Sequence, residues 1–405
     1  MSNTATELPY FPMPRDSKCP FSPPPELKRI QQETPVSKVR IWDGREAWLV
    51  TRYDDVRFVL RDQRFSVNPH HPGWPPMSAG QGATRRDLKP NIFALDNPVH
   101  NELRRMQSAD FRIAQIEGWR PRVQQLVDEA IDAMLEMPKP VDLWEAFALK
   151  IPSIVICELL GVAYEDSEFF QHHSDRLVKT GSTSEEIGES MDALRGFLRD
   201  LVEKKVVTPT EDILSRMATQ QVKEGLLTAS EVADLCVMLL IAGHDTTSNT
   251  ICLATILLLQ HPDQLEKFRN GDDEVVAKGV EEILRFLDVP HLGRRRVALE
   301  DVEVGGQLIR AGEGVIAAQM IADRDETAFE DPDKFDIDRD ARHHLGFGFG
   351  THQCLGQPLV RVEVQIALAT LFRRIPTLQL AVPMEEIRFD YDALVYGVHE
   401  LPMTW

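Results

Sequence analysis

The segment that most constrains the fold is a long helical stretch in the middle of the chain, LLTASEVADLCVMLLIAGHDTTSNTICLATILLLQHPDQ. Thr228 and Glu231 have the spacing of a capping box at its start, and His261-Pro262 predicts its end near Gln260. At about 1.5 Å per residue, such a helix approaches ~50 Å and is long enough to cross a whole domain. We therefore expect a fold built around one central helix.

Strand-like segments are few, short and paired around turn signals, whereas helical patterning dominates from about residue 98 to 290. Together these patterns predict a mainly helical fold with small β-sheets, of the α+β class. The predicted strands are 39–42 and 47–51, on either side of Asp43-Gly44, and 302–304 and 307–309, on either side of Gly305-Gly306.

The chain is predicted to form a single domain over residues 1–405, because no repeat, glycine-serine linker or low-complexity tract divides it. This length exceeds the usual size of a domain with one hydrophobic core, and a buried cofactor would reconcile the length with a single domain. Residues 1–30 are rich in proline and predict an irregular N-terminal strap. Residues 66–89 lack periodicity and predict a long loop of the kind that forms lids or binding loops.

Composition argues against several classes of function. The formal charge of −19 disfavours binding to nucleic acid or to an anionic membrane surface. The N-terminal segment has no apolar core of signal-peptide length, so a cytoplasmic location without a membrane anchor is expected. The cysteines are sparse and odd in number, which disfavours a disulfide framework or a structural zinc site. They are Cys19, Cys157, Cys236, Cys252 and Cys354.

Cys354 has a setting unlike that of the other cysteines, because it follows closely spaced glycines in FGFGTHQCLG, residues 347–356, and precedes a helical run through Ala367. Glycines permit the tight backbone that such a loop needs. A helix that begins after the cysteine presents N–H groups and a positive dipole end, which favour a thiolate. Cys157, Cys236 and Cys252 lie in apolar helical stretches and are expected to be small buried hydrophobes.

The order F-G-x-G-x-H-x-C-x-G resembles the haem-binding loop of the cytochrome P-450 family at every defining position. The chain is similar to the soluble bacterial, actinobacterial-type branch of that family from about Pro20 to Trp405. The resemblance implies the cytochrome P-450 fold, a triangular helical body whose long central helix crosses the haem. It also implies haem b (iron protoporphyrin IX), with Cys354 as the axial thiolate and metal ligand, and hydroxylation with O2.

The central helix contains an unusual stretch, Ala242-Gly243-His244-Asp245-Thr246-Thr247. Glycine costs about 1 kcal/mol inside a helix, and aspartate and threonine are poor helix formers, so a locally opened helix is expected here. The stretch is similar to the A-G-x-D/E-T signature of the family. That similarity implies catalytic roles in oxygen activation for Thr246 and for Asp245, which would relay protons from solvent.

Glu282 and Arg285 stand three residues apart and share one helix face, where they can form a charge-assisted pair. They resemble the E-x-x-R pair of the family, which implies a structural interaction with Arg339 in the later segment PDKFDIDRD. One departure from the family pattern is Asp323, where asparagine commonly precedes Arg-Asp. This difference is expected to affect local hydrogen bonding only.

Haem carries two propionates that need cationic partners. His100 and Arg104 are one helical turn apart and resemble the H-x-x-x-R propionate pair of the family. Arg296 and His352 match the two remaining positions. The resemblance therefore implies cofactor-binding roles for all four residues.

The resemblance also indicates the substrate and the partners. Matching family positions predict a largely apolar distal pocket, which favours a hydrophobic small molecule such as a macrolide, another polyketide, a terpenoid or a xenobiotic. About fifty residues follow Cys354, so electrons are expected from a separate ferredoxin and its NAD(P)H-dependent reductase, which act on a monomer. The predicted substrate residues are Ile92, Leu177, Met238, Ile241, Leu292 and Val395, and the candidate ferredoxin-docking arginines are Arg104, Arg105, Arg112, Arg342 and Arg361.

Three other functions use or could use such a scaffold. The segment TPVSKVRIWDGREAWLVTRYDDVRFVL looks similar to fungal haem-thiolate nitric oxide reductases, but that group lacks the acid that Asp245 provides here. Peroxygenases driven by hydrogen peroxide typically replace the acid-threonine pair. A non-enzymatic haem gas sensor would need an output or DNA-binding element, and the sequence shows none. Monooxygenation is therefore favoured.

Overall fold

The computed structural model describes residues 7–16, 19–78, 91–178, 183–391 and 393–405. The α-helices are α1 (Pro25–Glu33), α2 (Tyr53–Arg61), α3 (Val99–Ser108), α4 (Ile113–Glu117), α5 (Arg120–Leu135), α6 (Lys150–Leu160), α7 (Ser167–Val178), α8 (Ser184–Val207), α9 (Ile213–Met217), α10 (Ala229–Gln260), α11 (Pro262–Asn270), α12 (Asp273–Leu287), α13 (Gln319–Ala322) and α14 (Gln357–Arg374).

The strands of the described residues form three small sheets, with the orders β1-β2-β8-β5-β3, β4-β10-β9 and β6-β7. The strands are β1 (Val36–Arg40), β2 (Glu46–Val50), β3 (Phe65–Ser66), β4 (Val141–Asp142), β5 (Arg294–Ala298), β6 (Val302–Val304), β7 (Gln307–Ile309), β8 (Gly314–Ala317), β9 (Gln379–Leu380) and β10 (Pro402–Thr404).

The chain divides into two compact units, which are described separately. Unit 1 comprises residues 1–101, 291–335 and 344–354, and unit 2 comprises residues 102–290, 336–343 and 355–405. The division falls within α3, so His100 belongs to unit 1 and Arg104 to unit 2. The prediction of one domain over residues 1–405 stays a prediction.

Unit 1 is organised around the five-stranded sheet. Strands β1 and β2 are antiparallel, β2 and β8 are parallel, and β8 and β5 are antiparallel. Helix α2 buries Val56, Val59 and Leu60 against Val315 and Ala317 of β8 in one hydrophobic cluster. The same helix packs against the turn at residues 350–352, so the sheet and α2 together support the segment that leads to Cys354.

Unit 2 is organised around α10. The helix is 32 residues long, which corresponds to about 48 Å. Thr228 and Glu231 form both hydrogen bonds of a capping box at its start. Helices α6, α8 and α14 pack against it, and the side chains from 247 to 258 are all buried. A helix that is buried on every side needs an apolar surface all round, and α10 provides one from Ile251 to Leu258, where only Thr255 is polar.

The predicted central helix and the hairpin at 302–309 are confirmed, and the first hairpin is confirmed with its strands beginning a few residues earlier. The prediction of an irregular strap up to residue 30 is wrong from Pro25 onward, because proline fits the first turn of a helix and α1 begins there. Of the predicted loop at 66–89, residues 67–78 are irregular and 79–90 lie outside the described residues.

Within the ranges that the structure describes, no helix has the length and apolar composition that a membrane-spanning segment requires.

Candidate active site

The cysteine loop of unit 1 has the strained backbone that its glycines allow. Gly348 and Gly350 have φ values of +74° and +73°, in the left-handed region that disfavours other residues. The Cys354 N–H donates to the Phe347 carbonyl at 2.8 Å, which closes the loop, and Cys354 is half-buried. Helix α14 begins three residues later, at Gln357. The loop therefore presents one cysteine on a tightly held backbone.

The base of this loop is fixed by two fully buried side chains of unit 1. The carboxylate oxygens of Asp323 accept the Leu345 N–H at 2.8 and 3.0 Å. Gln319 Nε2 donates to the carbonyl oxygen of Leu345. Sequence reasoning noted Asp323 only as a departure from the family pattern, because a gap of 22 residues hides its contact with the loop.

The imidazole rings of His100 and His352 lie together in unit 1, with their centroids 4.0 Å apart. His100 is 2% exposed and belongs to α3. His352 ends the short turn Gly350–His352 that precedes Cys354. The structure thus brings together two of the four residues that the sequence assigns to the propionates.

Arg296 of unit 1 is a buried cation whose described surroundings provide little compensation. Its side chain lies on β5 and is 6% exposed, and it donates one hydrogen bond, to the Arg295 carbonyl at 2.9 Å. Among the described residues no acidic side chain forms a salt bridge with Arg296, and Asp96 acts on its charge only from a distance. Burial and, to a smaller extent, the charge of nearby Arg294 lower the pKa of Arg296 to about 10, and the charge of Asp96 offsets only part of this effect.

A buried guanidinium of this kind is favourable only beside an anion, because the cost of removing a charge from water is several kcal/mol. A carboxylate of haem has the required charge and can accept two parallel hydrogen bonds from a guanidinium. The donors His100, His352 and Arg296, with the sulfur of Cys354, therefore fit a haem by charge and by ligand chemistry. Arg104 belongs to unit 2, where it is half-buried on α3.

The stretch from Ala242 to Thr247 is α-helical throughout, so α10 has no break at the predicted local opening. Thr246 Oγ1 donates to the Ala242 carbonyl at 2.8 Å, and Thr247 Oγ1 donates to the Gly243 carbonyl at 3.1 Å. Hydroxyl groups that bond back to the preceding turn satisfy their own hydrogen-bonding capacity within the helix, although such bonds often bend a helix slightly. Asp245 is 9% exposed, and Thr246 is half-buried.

Asn249, one turn after Asp245, is a neighbour that sequence reasoning missed. Its Nδ2 atom donates to the main-chain oxygen of Asp245 at 3.0 Å and lies 3.4 Å from the Asp245 Oδ1. Its Oδ1 accepts the N–H of Val398 at 3.3 Å. The i, i+4 spacing could have indicated the first contact, but nothing in the sequence indicates the contact with Val398.

Glu282, Arg285 and Arg339 lie together in unit 2. Arg285 donates to both carboxylate oxygens of Glu282, at 2.7 and 2.8 Å, and both side chains are fully buried. Arg339 Nε donates to Glu282 Oε1 at 3.2 Å, and the N–H of Asp336 donates to the same oxygen at 3.1 Å. The carboxylate therefore fastens the 336–339 segment to α12, which is a structural arrangement.

Three other cysteines are buried thiols. Burial raises the pKa of Cys157 and of Cys236 to about 12, and it raises the pKa of Cys252 well above its usual value. Thiols of this kind stay protonated at neutral pH and are poor metal ligands. Cys19 is exposed. These environments favour Cys354 as the functional cysteine.

The predicted substrate residues differ in burial. Leu177, Met238, Ile241 and Val395 are half-buried in unit 2, where α7 packs against α10. In unit 1, Ile92 is buried in a short turn, and Leu292 is part of a hydrophobic cluster with residues of α1, β1 and β2. Leu292 therefore has a packing role that can account for it without a substrate.

Among the candidate docking arginines, Arg361 and Arg342 form ion pairs with acidic side chains. Arg361 donates to Glu281 at 2.6 and 2.9 Å, and Arg342 donates to Asp340 at 2.8 and 2.9 Å. Their charges are locally compensated, so they contribute less to a basic surface than the sequence suggests. Arg105 and Arg112 are exposed.

The cysteine loop of unit 1 and its support have the features of a haem-thiolate protein. The cytochrome P-450 family model matches residues 26–378. Cytochrome P-450-SU2 of Streptomyces griseolus is 46% identical over 97% of this chain and 96% of its own length. The crystal structure of GfsF has a TM-score of 0.92 at 44% identity and covers 98% of this chain and 100% of its own.

A further solved structure, the mycinamicin VIII C21 methyl hydroxylase MycCI of Micromonospora griseorubida bound to mycinamicin VIII, has a TM-score of 0.91 at 35% identity. It covers 98% of this chain and 100% of its own. The chain therefore belongs to the cytochrome P-450 family. It has the fold of that family, its cofactor is a haem with a thiolate ligand, and it is a monooxygenase.

Proposed function

We propose that the enzyme hydroxylates a hydrophobic small molecule, such as a macrolide or another polyketide, a terpenoid or a xenobiotic. The observation that carries this proposal is the apolar, half-buried character of Met238 and Ile241 on α10, one to two turns before Asp245. The similarity to a hydroxylase whose structure contains mycinamicin VIII supports the macrolide or polyketide class. Pockets for such ligands are largely apolar with a few polar groups.

The residues that would hold the haem are Cys354, through its sulfur, and His100, Arg104, Arg296 and His352, through donors to the propionates. When bound, the haem supplies the activation of O2, and the thiolate increases the electron density at iron. The Phe347 carbonyl holds the backbone N–H of Cys354, which orients the loop before any cofactor chemistry.

Asp245 and Thr246 are proposed to deliver protons. The Thr246 hydroxyl donates to the Ala242 carbonyl, so its own oxygen keeps lone pairs that can accept a hydrogen bond. Asp245 would take a proton from solvent and pass it on, and a carboxyl group suits this role because it changes charge at accessible pH. This pair favours monooxygenation over nitric oxide reduction or peroxide-driven chemistry, and an enzyme over a gas sensor.

Two electrons per turnover are proposed to come from a ferredoxin and its NAD(P)H-dependent reductase, with the enzyme acting as a cytoplasmic monomer. Arg104, Arg105 and Arg112 remain the candidate docking cations. Charge reversal at Arg105 and Arg112 should raise the ferredoxin concentration needed for half-maximal turnover, and this increase should be smaller at high salt. An unchanged ferredoxin dependence would contradict this part of the proposal.

The first test is the carbon monoxide difference spectrum of the dithionite-reduced protein. Wild type should give a Soret band near ~450 nm, and Cys354→Ala should lose it. Cys157→Ala is the matched control, because it removes a buried thiol and should keep the band. Hydrophobic compounds are then screened for spin-state shifts, and product from labelled O2 should carry one labelled oxygen. Product formed only with hydrogen peroxide would favour the peroxygenase alternative.

A further inference from the structure

We propose that Asn249 is a positioning residue for Asp245 and that it links this acid to the C-terminal ribbon, defined here as residues 388–399 without 392. The inference rests on the proposed proton-delivery role of Asp245, which it extends. It concerns unit 2 alone, to which Asp245, Asn249 and the ribbon all belong.

The Asn249 side chain uses both ends of its amide. Its Nδ2 contacts the main-chain oxygen of Asp245 and, at 3.4 Å, the Oδ1 of the carboxyl group. Its Oδ1 accepts the Val398 N–H at 3.3 Å. The amide is 5% exposed, so few water molecules can replace these partners. One side chain therefore contacts both the acid and a segment almost 150 residues away.

The ribbon is held in place by its own backbone. The Asp390 N–H donates to the Gly397 carbonyl at 2.9 Å, and the His399 N–H donates to the Arg388 carbonyl at 3.0 Å. The N–H of Tyr396, a fully buried residue, donates to the Val289 carbonyl at 2.8 Å. The ribbon is thus anchored on both sides of Gly397 and can hold the Asn249 amide in a fixed position.

Gly397 shows how closely the ribbon approaches Asn249. A Cβ atom built at Gly397 would overlap the oxygen and the carbon of the Asn249 amide, so only glycine fits this position without a shift. The contact also limits the rotation of the Asn249 side chain. Its donor end is consequently directed towards Asp245 and its acceptor end towards Val398.

This geometry has a chemical consequence for the acid. A neutral amide that donates towards a carboxylate stabilises the charged form and fixes the orientation of its oxygens. The ribbon also carries Val395, a predicted substrate residue. A substrate that contacts the ribbon would then affect the acid through one amide, which would couple proton delivery to substrate occupancy.

Four variants separate this role from simple packing. Asn249→Leu removes both polar ends, and Asn249→Asp keeps the shape and the acceptor but loses the donor. Gly397→Ala displaces the amide without changing it. Ser248→Ala is the matched control, because its buried hydroxyl donates to the His244 carbonyl at 2.6 Å and makes no hydrogen bond to the described residues of the ribbon. Each variant is compared with wild type in haem content, melting temperature and carbon monoxide spectrum.

The first readout is turnover of 7-ethoxycoumarin, a hydrophobic probe, with a ferredoxin and its reductase. For both Asn249 variants and Gly397→Ala, we expect product per NADPH to fall by roughly tenfold while hydrogen peroxide rises. The KM of Asn249→Asp should stay within about twofold of wild type, because this variant keeps the acceptor for the Val398 N–H and leaves the ribbon in place. Ser248→Ala should match wild type.

The second readout is independent of turnover. Amide hydrogen exchange of the ribbon peptide should be faster in Asn249→Leu and Gly397→Ala, and unchanged in Ser248→Ala, because the Val398 N–H loses its acceptor. Asp245→Asn serves as the reference for the acid. If Asp245→Asn lowers product per NADPH while both Asn249 variants behave like wild type, the positioning role of Asn249 is overturned. If Asp245→Asn has no effect on product per NADPH, the proton-delivery role of Asp245 fails. If amide exchange of the ribbon is unchanged in Asn249→Leu and Gly397→Ala, the link between Asn249 and the ribbon is overturned.

Discussion

At the scale of single residues, Glu363 is a carboxyl side chain buried in unit 2. It lies on α14, is 1% exposed, and its Oε1 has no hydrogen-bond partner among the described residues. Burial raises the pKa of this carboxyl group well above its ordinary value. A carboxyl group of this kind prefers to stay protonated in the folded protein.

Glu363→Gln should therefore change the pH dependence of stability. In the unfolded chain the carboxyl group ionises near pH ~4.3, whereas the folded state holds its proton, so stability falls as pH rises above that value. The glutamine variant lacks this loss and should be more stable than wild type at pH 8, with a smaller difference at pH 5. Urea unfolding at both pH values measures the effect.

Glu136→Gln, at an exposed position after α5, is the control and should leave the free energy of unfolding unchanged at both pH values. A wild type and a Glu363→Gln variant with parallel pH profiles would show that Glu363 ionises normally in the folded protein.

Asp323 leads to a second residue-scale prediction. Asp323→Asn keeps an oxygen that can accept the Leu345 N–H, so stability and haem content should stay close to those of wild type. Asp323→Ala leaves that buried N–H without its acceptor and should cost about 1–3 kcal/mol. Chemical unfolding and the haem absorbance per protein measure both effects. An alanine variant as stable as the asparagine variant would contradict the role of this contact.

The sequence predicts residue roles well where a motif is local and poorly where partners are distant. Cys354 is recognisable because its glycines adjoin it. Asp323 and Asn249 are not, because their partners at Leu345 and Val398 are brought near only by the folded chain. No spacing rule along one element could have found these contacts.

At the scale of secondary-structure elements, α12 illustrates the difference between buried and exposed ion pairs. Glu282 is fully buried and binds Arg285, which is also fully buried, and Arg339, whose side chain is 13% exposed. On the same helix, Glu274 and Lys278 form an exposed pair at 3.4 Å. Removing one partner of a buried pair leaves an uncompensated charge, whereas exposed pairs contribute little.

Glu282→Ala is expected to cost about 3–5 kcal/mol and to lower haem incorporation, because two arginines lose their shared carboxylate. Glu274→Ala should cost less than about 1 kcal/mol. The two variants, both on α12, are compared by their yield of folded protein and by their melting temperatures. Equal effects would show that the buried carboxylate does not stabilise α12 through its arginines.

Helix α10 shows which parts of an element the sequence can predict. Its capping box and the following His261-Pro262 set both ends correctly. Its polar stretch was interpreted as a local opening, since glycine, aspartate and threonine are poor helix formers. The helix nevertheless continues through this stretch, and the hydroxyls of Thr246 and Thr247 bond to carbonyls of the preceding turn. Propensities alone do not show that the buried setting of the helix outweighs these residues.

At the scale of the whole molecule, stability should depend on the cofactor. Removal of haem leaves Arg296 buried without its proposed anionic partner, so the apoprotein should melt at a lower temperature than the haem-bound protein. Arg296→Met should narrow that difference. The variant apoprotein should gain about 1–4 kcal/mol, since a buried charge is replaced by an apolar side chain, while haem affinity falls.

Calorimetry of the apo and haem-bound forms measures the difference between their melting temperatures and the stability that the variant apoprotein gains. Arg310→Met, which removes an exposed arginine, is the control and should leave the difference between the two forms unchanged. An Arg296→Met apoprotein less stable than wild type would indicate that the arginine is compensated without haem.

The overall fold could be predicted because the family motifs occur in order along the whole chain. The positions of chain segments that have no motif, such as the 388–399 ribbon, could not be predicted. Their placement depends on backbone hydrogen bonds to distant segments, for example from Tyr396 to Val289.

The contact between the cysteine loop and α2 has a consequence for recombination. A Cβ atom at Gly350 would lie 2.8 Å from the Leu60 carbonyl oxygen and 2.9 Å from the Arg61 Cα, so backbone meets backbone with no side chain between them. Chimeras of related enzymes with a crossover between residues 61 and 350 inherit these two surfaces from different parents. No rotamer can absorb a mismatch there, so the two segments should be exchanged as one block.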